Sequence, residues 1–257
     1  MLRGQVAWVV GGAGIVGAGI ARGLIKAGAT VIVNSRHERR LDRLRTELDN
    51  PEQLVTVNAS MRPNQAAATM DTVMDMTARR LDHVVAHCGV NWWAGDEGDA
   101  ESTTVRSSGS ILHMPLADYG EMSTQLSQMH FAAAQLLTPL LGETGTYTFV
   151  TSNASDAWGP DSALAQLNTH GVIGLAATMR SEAEASKTMV RVGDFQLGDG
   201  LRMNRPRAER EASPRSSPLS HDIGEVVAGL VMRGEGGKVS AADLFELQML
   251  KQKLARL

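Results

Sequence analysis

Residues Val9–Ile20 read VVGGAGIVGAGI, in which Gly12, Gly14 and Gly17 satisfy G-x-G-x-x-G with Gly11 beside them. Glycines at this spacing let a chain turn sharply and bring its backbone close to a pyrophosphate. The helix that opens behind them offers unpaired N–H donors and the positive end of its dipole. A glycine-rich turn with no ligand has the same composition. The setting, an apolar run before the motif and helical spacing after it, makes dinucleotide binding the favoured reading.

The next polar stretch refines the choice of dinucleotide. A binder of NAD places Asp or Glu at the end of its second strand to bond the ribose hydroxyls. Here the stretch is NSRHERR, Asn34–Arg40, with no acid before Glu38. Ser35 and Arg36, with Arg39 or Arg40, can instead hold the extra phosphate of NADP, because guanidinium matches phosphate geometry. The same residues would also suit a solvated basic face. NADP(H) is favoured over NAD(H).

These residues need a scaffold, and the hydrophobic pattern supplies one. Strands are expected at Gln5–Val10, Thr30–Val33, Leu54–Asn58 and Asp82–His87, alternating with helices at Ile15–Ala27, Glu38–Leu48 and Asn64–Arg80. Such alternation implies an α/β fold of the doubly wound, Rossmann-like kind: a parallel sheet between two helical layers in a single domain. Residues Gly89–Met114 break the rhythm and read as a loop or insertion. A long helix at Tyr119–Leu141, a strand at Thr146–Ser152, a helix at Ser162–Ala185 and a strand at Met189–Phe195 follow. The Arg- and Pro-rich segment from about Leu201 to Ser220 reads as a lid or disordered loop that builds no core. A helix at Asp222–Arg233 comes next. The end is ambiguous: either a short strand at Lys238–Ala241 and a helix, or one longer helix capped by Ser240 and Asp243.

The totals set outer bounds. A chain of 257 residues, 43% hydrophobic, can bury a sizeable core without cross-links. A net charge of −3 argues against general nucleic-acid binding. The single cysteine, Cys88, excludes an internal disulfide and fits a reducing compartment, the cytoplasm or an organelle matrix. No window is apolar enough for a membrane span, and no signal peptide is evident.

Together the glycine loop, the strand order and GVIGL at 171–175 resemble the short-chain dehydrogenase/reductase family, from about Leu2 to Phe195. The likeness is imperfect at several places. In the family's T-G-x-x-x-G-x-G loop, Val10 and Gly11 fill the first two places, Ile15 replaces the middle Gly, and Gly17 keeps the last. Gly89 alone survives from N-N-A-G after the fourth strand. Asn58 stands where the family has an acid that contacts adenine, and Leu197–Gly198 replaces P-G.

The resemblance implies an active tetrad of Asn, Ser, Tyr and Lys. Ser152 is retained at the end of the fifth strand, but Ala165 and Thr169 occupy the places of Tyr and Lys, and Leu126 falls near that of Asn. The Tyr hydroxyl protonates the substrate oxygen in that family, and the Lys lowers its pKa. Ala165 donates no proton, and Thr169 carries no charge. A positioned general acid is worth about 10²–10⁴ in rate, or roughly 3–5.5 kcal/mol. The expectation is therefore an NADP(H)-binding scaffold, sensor or complex subunit without the family's redox activity. The alternative is an NADPH-dependent oxidoreductase, or a cofactor-holding cyclase or isomerase, using Asp156 or His87 as a substitute acid. His170, next to Thr169, lies about 100° round the helix and should point away.

Other features have plainer readings. His83, His87 and Cys88 lie close in sequence but do not make a zinc site. Trp92 and Trp93 could floor a pocket, meet a partner or pack under a loop. The helices at 119–141 and 162–185 resemble the family's dimer interface, where Ala132, Ala133, Ala134, Gly171 and Ala176 would allow close approach. A homo-oligomer, or pairing with a related chain, follows as an expectation.

Overall fold

The computed structural model describes residues 1–87, 115–152, 163–186, 190–198, 201 and 217–255. In chain order the elements are β1 (Val6–Val10), α1 (Ile15–Lys26), β2 (Thr30–Ser35), α2 (Glu38–Glu47), β3 (Leu54–Asn58), α3 (Ala66–Met76) and β4 (His83–Ala86). They continue with α4 (Leu116–Leu137), a 3-10 turn (Thr138–Leu140), β5 (Thr146–Ser152), α5 (Ala163–Ala185), β6 (Arg191–Leu197), α6 (Ser217–Arg233), β7 (Gly237–Ala241) and α7 (Leu244–Ala255).

The strands form one seven-stranded sheet in the order β3-β2-β1-β4-β5-β6-β7, parallel at every pairing. A sheet buried on both faces needs strands that are apolar on both sides, and β1 is buried along its whole length. Successive side chains alternate between the layers. Val9 points into one core cluster with α1, α2, α6 and α7 residues, whereas Trp8 and Val10 point into the other with those of α3, α4 and α5. The doubly wound expectation holds.

The close approach of α1 and α6 depends on glycine. A Cβ on Gly19 would stand 2.0 Å from the Ser220 carbonyl oxygen, and one on Gly224 would stand 1.8 Å from that of Gly19. The side chains that normally keep helices 8–10 Å apart are missing there.

Two expectations need correction, and one left open is decided. The segment taken as a lid does contribute to the core at both ends: Leu201 is buried, and α6 already begins at Ser217, with Ser220 buried against α1. The remaining residues of that segment, 202–216, lie outside the described residues, as does the whole of the expected loop at 89–114. The ambiguous terminus is a strand followed by a helix. Asp243 caps α7: its Oδ1 accepts the Glu246 amide at 2.9 Å, while Glu246 Oε2 accepts the Ala242 amide at 2.7 Å. Finally, Ala132, Ala133, Ala134 and Ala176 are buried within the chain, so their small size serves its own packing rather than a partner's.

Candidate functional site

In a parallel sheet all strands end on one edge. Here that edge carries the expected residues: Val10 leads to the glycine turn, Ser35 ends β2, Asn58 ends β3, His87 follows β4, and Ser152 ends β5. Between β1 and β4 the strand order reverses direction, which opens the crevice where ligands of such folds bind.

The glycine turn has the shape an anion needs. Gly11 takes φ +70°, a conformation that L side chains rarely adopt. Gly17 packs so tightly on Gly12 that a Cβ would lie 2.4 Å from the Gly12 Cα, whereas around Gly14 nothing lies within 4 Å. Gly14 is the N-cap of α1, and the first ladder bond runs from the Ala18 amide to the Gly14 carbonyl at 2.8 Å. The amides of Ile15, Val16 and Gly17 thus have no intrahelical acceptor. No side chain caps them and no acid occupies the first turn. The open space at Gly14 and the uncompensated donors fit a pyrophosphate. Ile15, which replaces a glycine of the family's loop, packs against the hydrophobic core.

The far end of the cradle is basic. Arg36 is exposed, and its Nε–H donates to His37 Nε2 at 3.0 Å. Burial, then the neighbouring Arg62 and Arg40 guanidiniums, lower the Arg36 pKa from its ordinary value. Arg62 comes from the turn after β3, brought alongside β2 by the bond from the Ala59 amide to the Ser35 carbonyl at 3.0 Å. Three cations gathered on one edge suit a phosphate dianion. Sequence reasoning found Arg36 and Arg40 but missed Arg62, because the contact depends on the β2–β3 pairing. Asn58 is exposed at the end of β3.

At the other side of the crevice α5 carries Ala165 and Thr169 one turn apart. Thr169 is half-buried, and His170 is exposed with Nδ1 2.8 Å from the Gln166 carbonyl oxygen. The chain's only tyrosines are distant in kind: Tyr147 is fully buried near the start of β5, and Tyr119 is exposed in the first turn of α4. Five residues of strand separate Tyr147 from Ser152, about 17 Å at 3.3 Å per residue. Between α4 and α5 the Leu126 amide donates to Asn168 Oδ1 at 2.8 Å, and both residues are buried. This junction between α4 and α5 had no signal in the sequence. Asp156, Gly89, Cys88, Trp92 and Trp93 lie outside the described residues.

His87 Nδ1 is enclosed and has no partner among the described residues, although the ring is partly exposed. Burial pushes its pKa down to about 4, its own backbone opposing. At neutral pH it is an uncharged imidazole, with no imidazolium proton to give. The folded protein favours the neutral form, so stability is complete above the ordinary pKa of 6.5 and falls as the pH drops toward 4. The full difference is worth roughly 3 kcal/mol. Urea unfolding should therefore show the wild type losing about 2 kcal/mol more than His87→Gln between pH 7 and pH 4.5. Parallel losses would mean that His87 titrates normally. His83 sits at the opposite edge of the sheet, its ring nitrogens 2.9 Å from Thr146 Oγ1 and 3.2 Å from Gln5 Oε1, and is structural. Among the described residues no His, Cys, Asp and Glu cluster could hold a metal.

A sequence model described as short chain dehydrogenase matches residues 5–200. No curated protein matches by sequence. Among solved structures, a metagenomic short-chain oxidoreductase in complex with NADP is 21% identical, with a TM-score of 0.71 over 94% of this chain and 98% of that one. A dehydrogenase/reductase from Sinorhizobium meliloti 1021 is 20% identical, with a TM-score of 0.71 over 94% of this chain and 95% of that one. A short-chain dehydrogenase/reductase from Serratia marcescens BCRC 10948 is 17% identical, with a TM-score of 0.70 over 94% and 98%. At these identities the likeness concerns the fold. No described helix is long and apolar enough to cross a membrane.

Proposed function

The chain belongs to the short-chain dehydrogenase family, and on that premise we propose that it binds NADP(H) without performing the family's tyrosine-dependent carbonyl reduction. The cradle at Gly14 supports the first half. The amides of Ile15, Val16 and Gly17 hold the pyrophosphate there, and Arg36 with Arg62 holds the ribose phosphate. A nicotinamide bound in this family supplies hydride. What α5 does not offer is the tyrosine that would donate the proton to go with it.

The observation that carries the second half is the occupancy of α5. Ala165 has no ionisable group, and Thr169 offers a neutral hydroxyl where an ammonium would stand. Tyr147 is held in the core well away from Ser152. Ser152 alone is a weak acid. The protein then acts as a cofactor-binding scaffold, sensor or subunit. Its partner, a second copy or a related chain, docks on α4 and α5, where Phe131 and Leu167 are exposed.

Two measurements test this. NADPH fluorescence should change saturably on titration with the protein, whereas no change would remove the cofactor reading. A panel of ketones and imines with NADPH should show turnover no faster than the buffer. Turnover that Asp156→Asn or Ser152→Ala abolishes would establish an enzyme with substituted acids instead.

A further inference from the structure

Asn34 is a polar side chain in the apolar strand TVIVNS, and it is buried. Its Oδ1 accepts the Trp8 Nε1–H at 2.9 Å and the Gly11 amide at 3.2 Å, while its Nδ2 donates to the Ala59 carbonyl at 3.2 Å. The orientation of the amide is not a matter of choice. An indole N–H and a backbone N–H can only donate, and a carbonyl can only accept, so the oxygen must face β1 and the nitrogen β3.

These three partners belong to the two strands that flank β2 and to the segments that follow them. Trp8 is the middle of β1 and fully buried beneath the glycine turn. Gly11 is the first residue of that turn and the one with positive φ. Ala59 follows β3, on the way to Arg62. The Gly11 amide lies past the end of β1, and a part-buried amide without an acceptor is costly. Asn34 supplies that acceptor. It thereby sets where the turn leaves the strand, and ties the turn to the segment that carries Arg62.

We propose that Asn34 is a positioning residue for the dinucleotide: its side-chain amide holds the Gly11 turn and the Ala59 segment in one register, so that pyrophosphate donors and phosphate-binding arginines face the same ligand. The proposal rests on the cofactor reading above. It assigns to Asn34 no contact with the ligand.

The test uses the whole protein with Asn34→Leu, near-isosteric but apolar, and Asn34→Asp, which keeps both acceptor contacts and loses the donor. Hydrogen exchange of the Gly11 amide is followed by NMR in the free protein, beside strand amides such as those of Val33 and Val57. In Asn34→Leu the Gly11 amide should exchange at least tenfold faster while the strand amides hold. The Kd for NADPH should rise at least tenfold. In Asn34→Asp the Gly11 amide should stay protected. Uniform loss of protection across the strands would reduce Asn34 to a packing residue, and an unchanged Gly11 rate or Kd in Asn34→Leu would overturn the assignment. If Asn34→Leu does not fold, loss of Gly11 protection in Asn34→Asp overturns it instead. If the wild type binds no NADPH, the cofactor reading falls and the dinucleotide role of Asn34 falls with it, whereas failure at the Gly11 exchange rates overturns the role of Asn34 alone.

Discussion

Gly224→Ala should destabilise the protein by about 3 kcal/mol, although the same change helps most helices. In an exposed helix interior, Ala is favoured over Gly by about 1 kcal/mol. At Gly224 the added Cβ would lie 1.8 Å from the Gly19 carbonyl oxygen and 2.4 Å from its carbon. Those are backbone atoms of α1, which no rotamer change can move aside. The two helices must separate, and with them the buried residues Ile223, Val226 and Val227 lose contact with the α1 side of the core. Overpacking of this kind costs about 1–3 kcal/mol and sometimes more, and the absence of any flexible neighbour puts it at the upper end. Thermal unfolding should move down by roughly 6–12 °C for a chain of this size. Gly120→Ala in α4, where nothing lies within 4 Å, is the control and should leave the midpoint unchanged or raise it slightly. A midpoint for Gly224→Ala within a degree or two of wild type would show that α1 and α6 are not in backbone contact.

The second large effect concerns cofactor choice. Arg36→Ala combined with Arg62→Ala should weaken NADPH by about 100-fold, at roughly 1.5–3 kcal/mol per charge-assisted hydrogen bond lost. NADH lacks the ribose phosphate that the proposal assigns to these guanidiniums, so its Kd should move by about threefold or less. The salt dependence of NADPH binding should shrink in the double variant, because fewer charges meet. The single Arg62→Ala change is the sharper one, since Arg62 lies outside the second strand where this preference is usually sought. Arg36 feels Arg62 more strongly than it feels Arg40, so removing Arg62 should bring the Arg36 pKa back up toward its ordinary value. Equal losses for NADPH and NADH would mean that the arginines stabilise the fold or the adenine rather than the phosphate.

Much of this was legible in the residues alone, for identifiable reasons. Alternating apolar runs at period two and 3.6 are local, so the first six strands and their order along the chain were readable, as was the glycine turn. Thr146–Ser152 matched to the residue because apolar residues and a run of β-formers coincide there. Errors gathered where burial depends on a distant partner. The helix α6 starts five residues before the expected Asp222, at Ser217, because the polar Ser220 is buried where Gly19 of α1 leaves room for its backbone. Leu201 read as part of a polar segment, yet it is buried in the core that α6 completes. The alanines of α4 suggested a partner, and the partner they meet is the rest of the same chain.

The linear order of residue types determined that this chain makes a parallel α/β sheet with a glycine-rich turn after its first strand, and that no tyrosine or lysine follows Ser152 at the reactive spacing. Both are consequences of chemistry carried within a few turns of backbone. Only the tertiary structure decided that Arg62 joins Arg36, that Asn34 spans the ends of β1 and β3, and that Asn168 meets Leu126 across α4 and α5. Those contacts link residues 23 to 42 positions apart, and they exist because strand pairing and helix packing bring distant backbone within hydrogen-bonding reach.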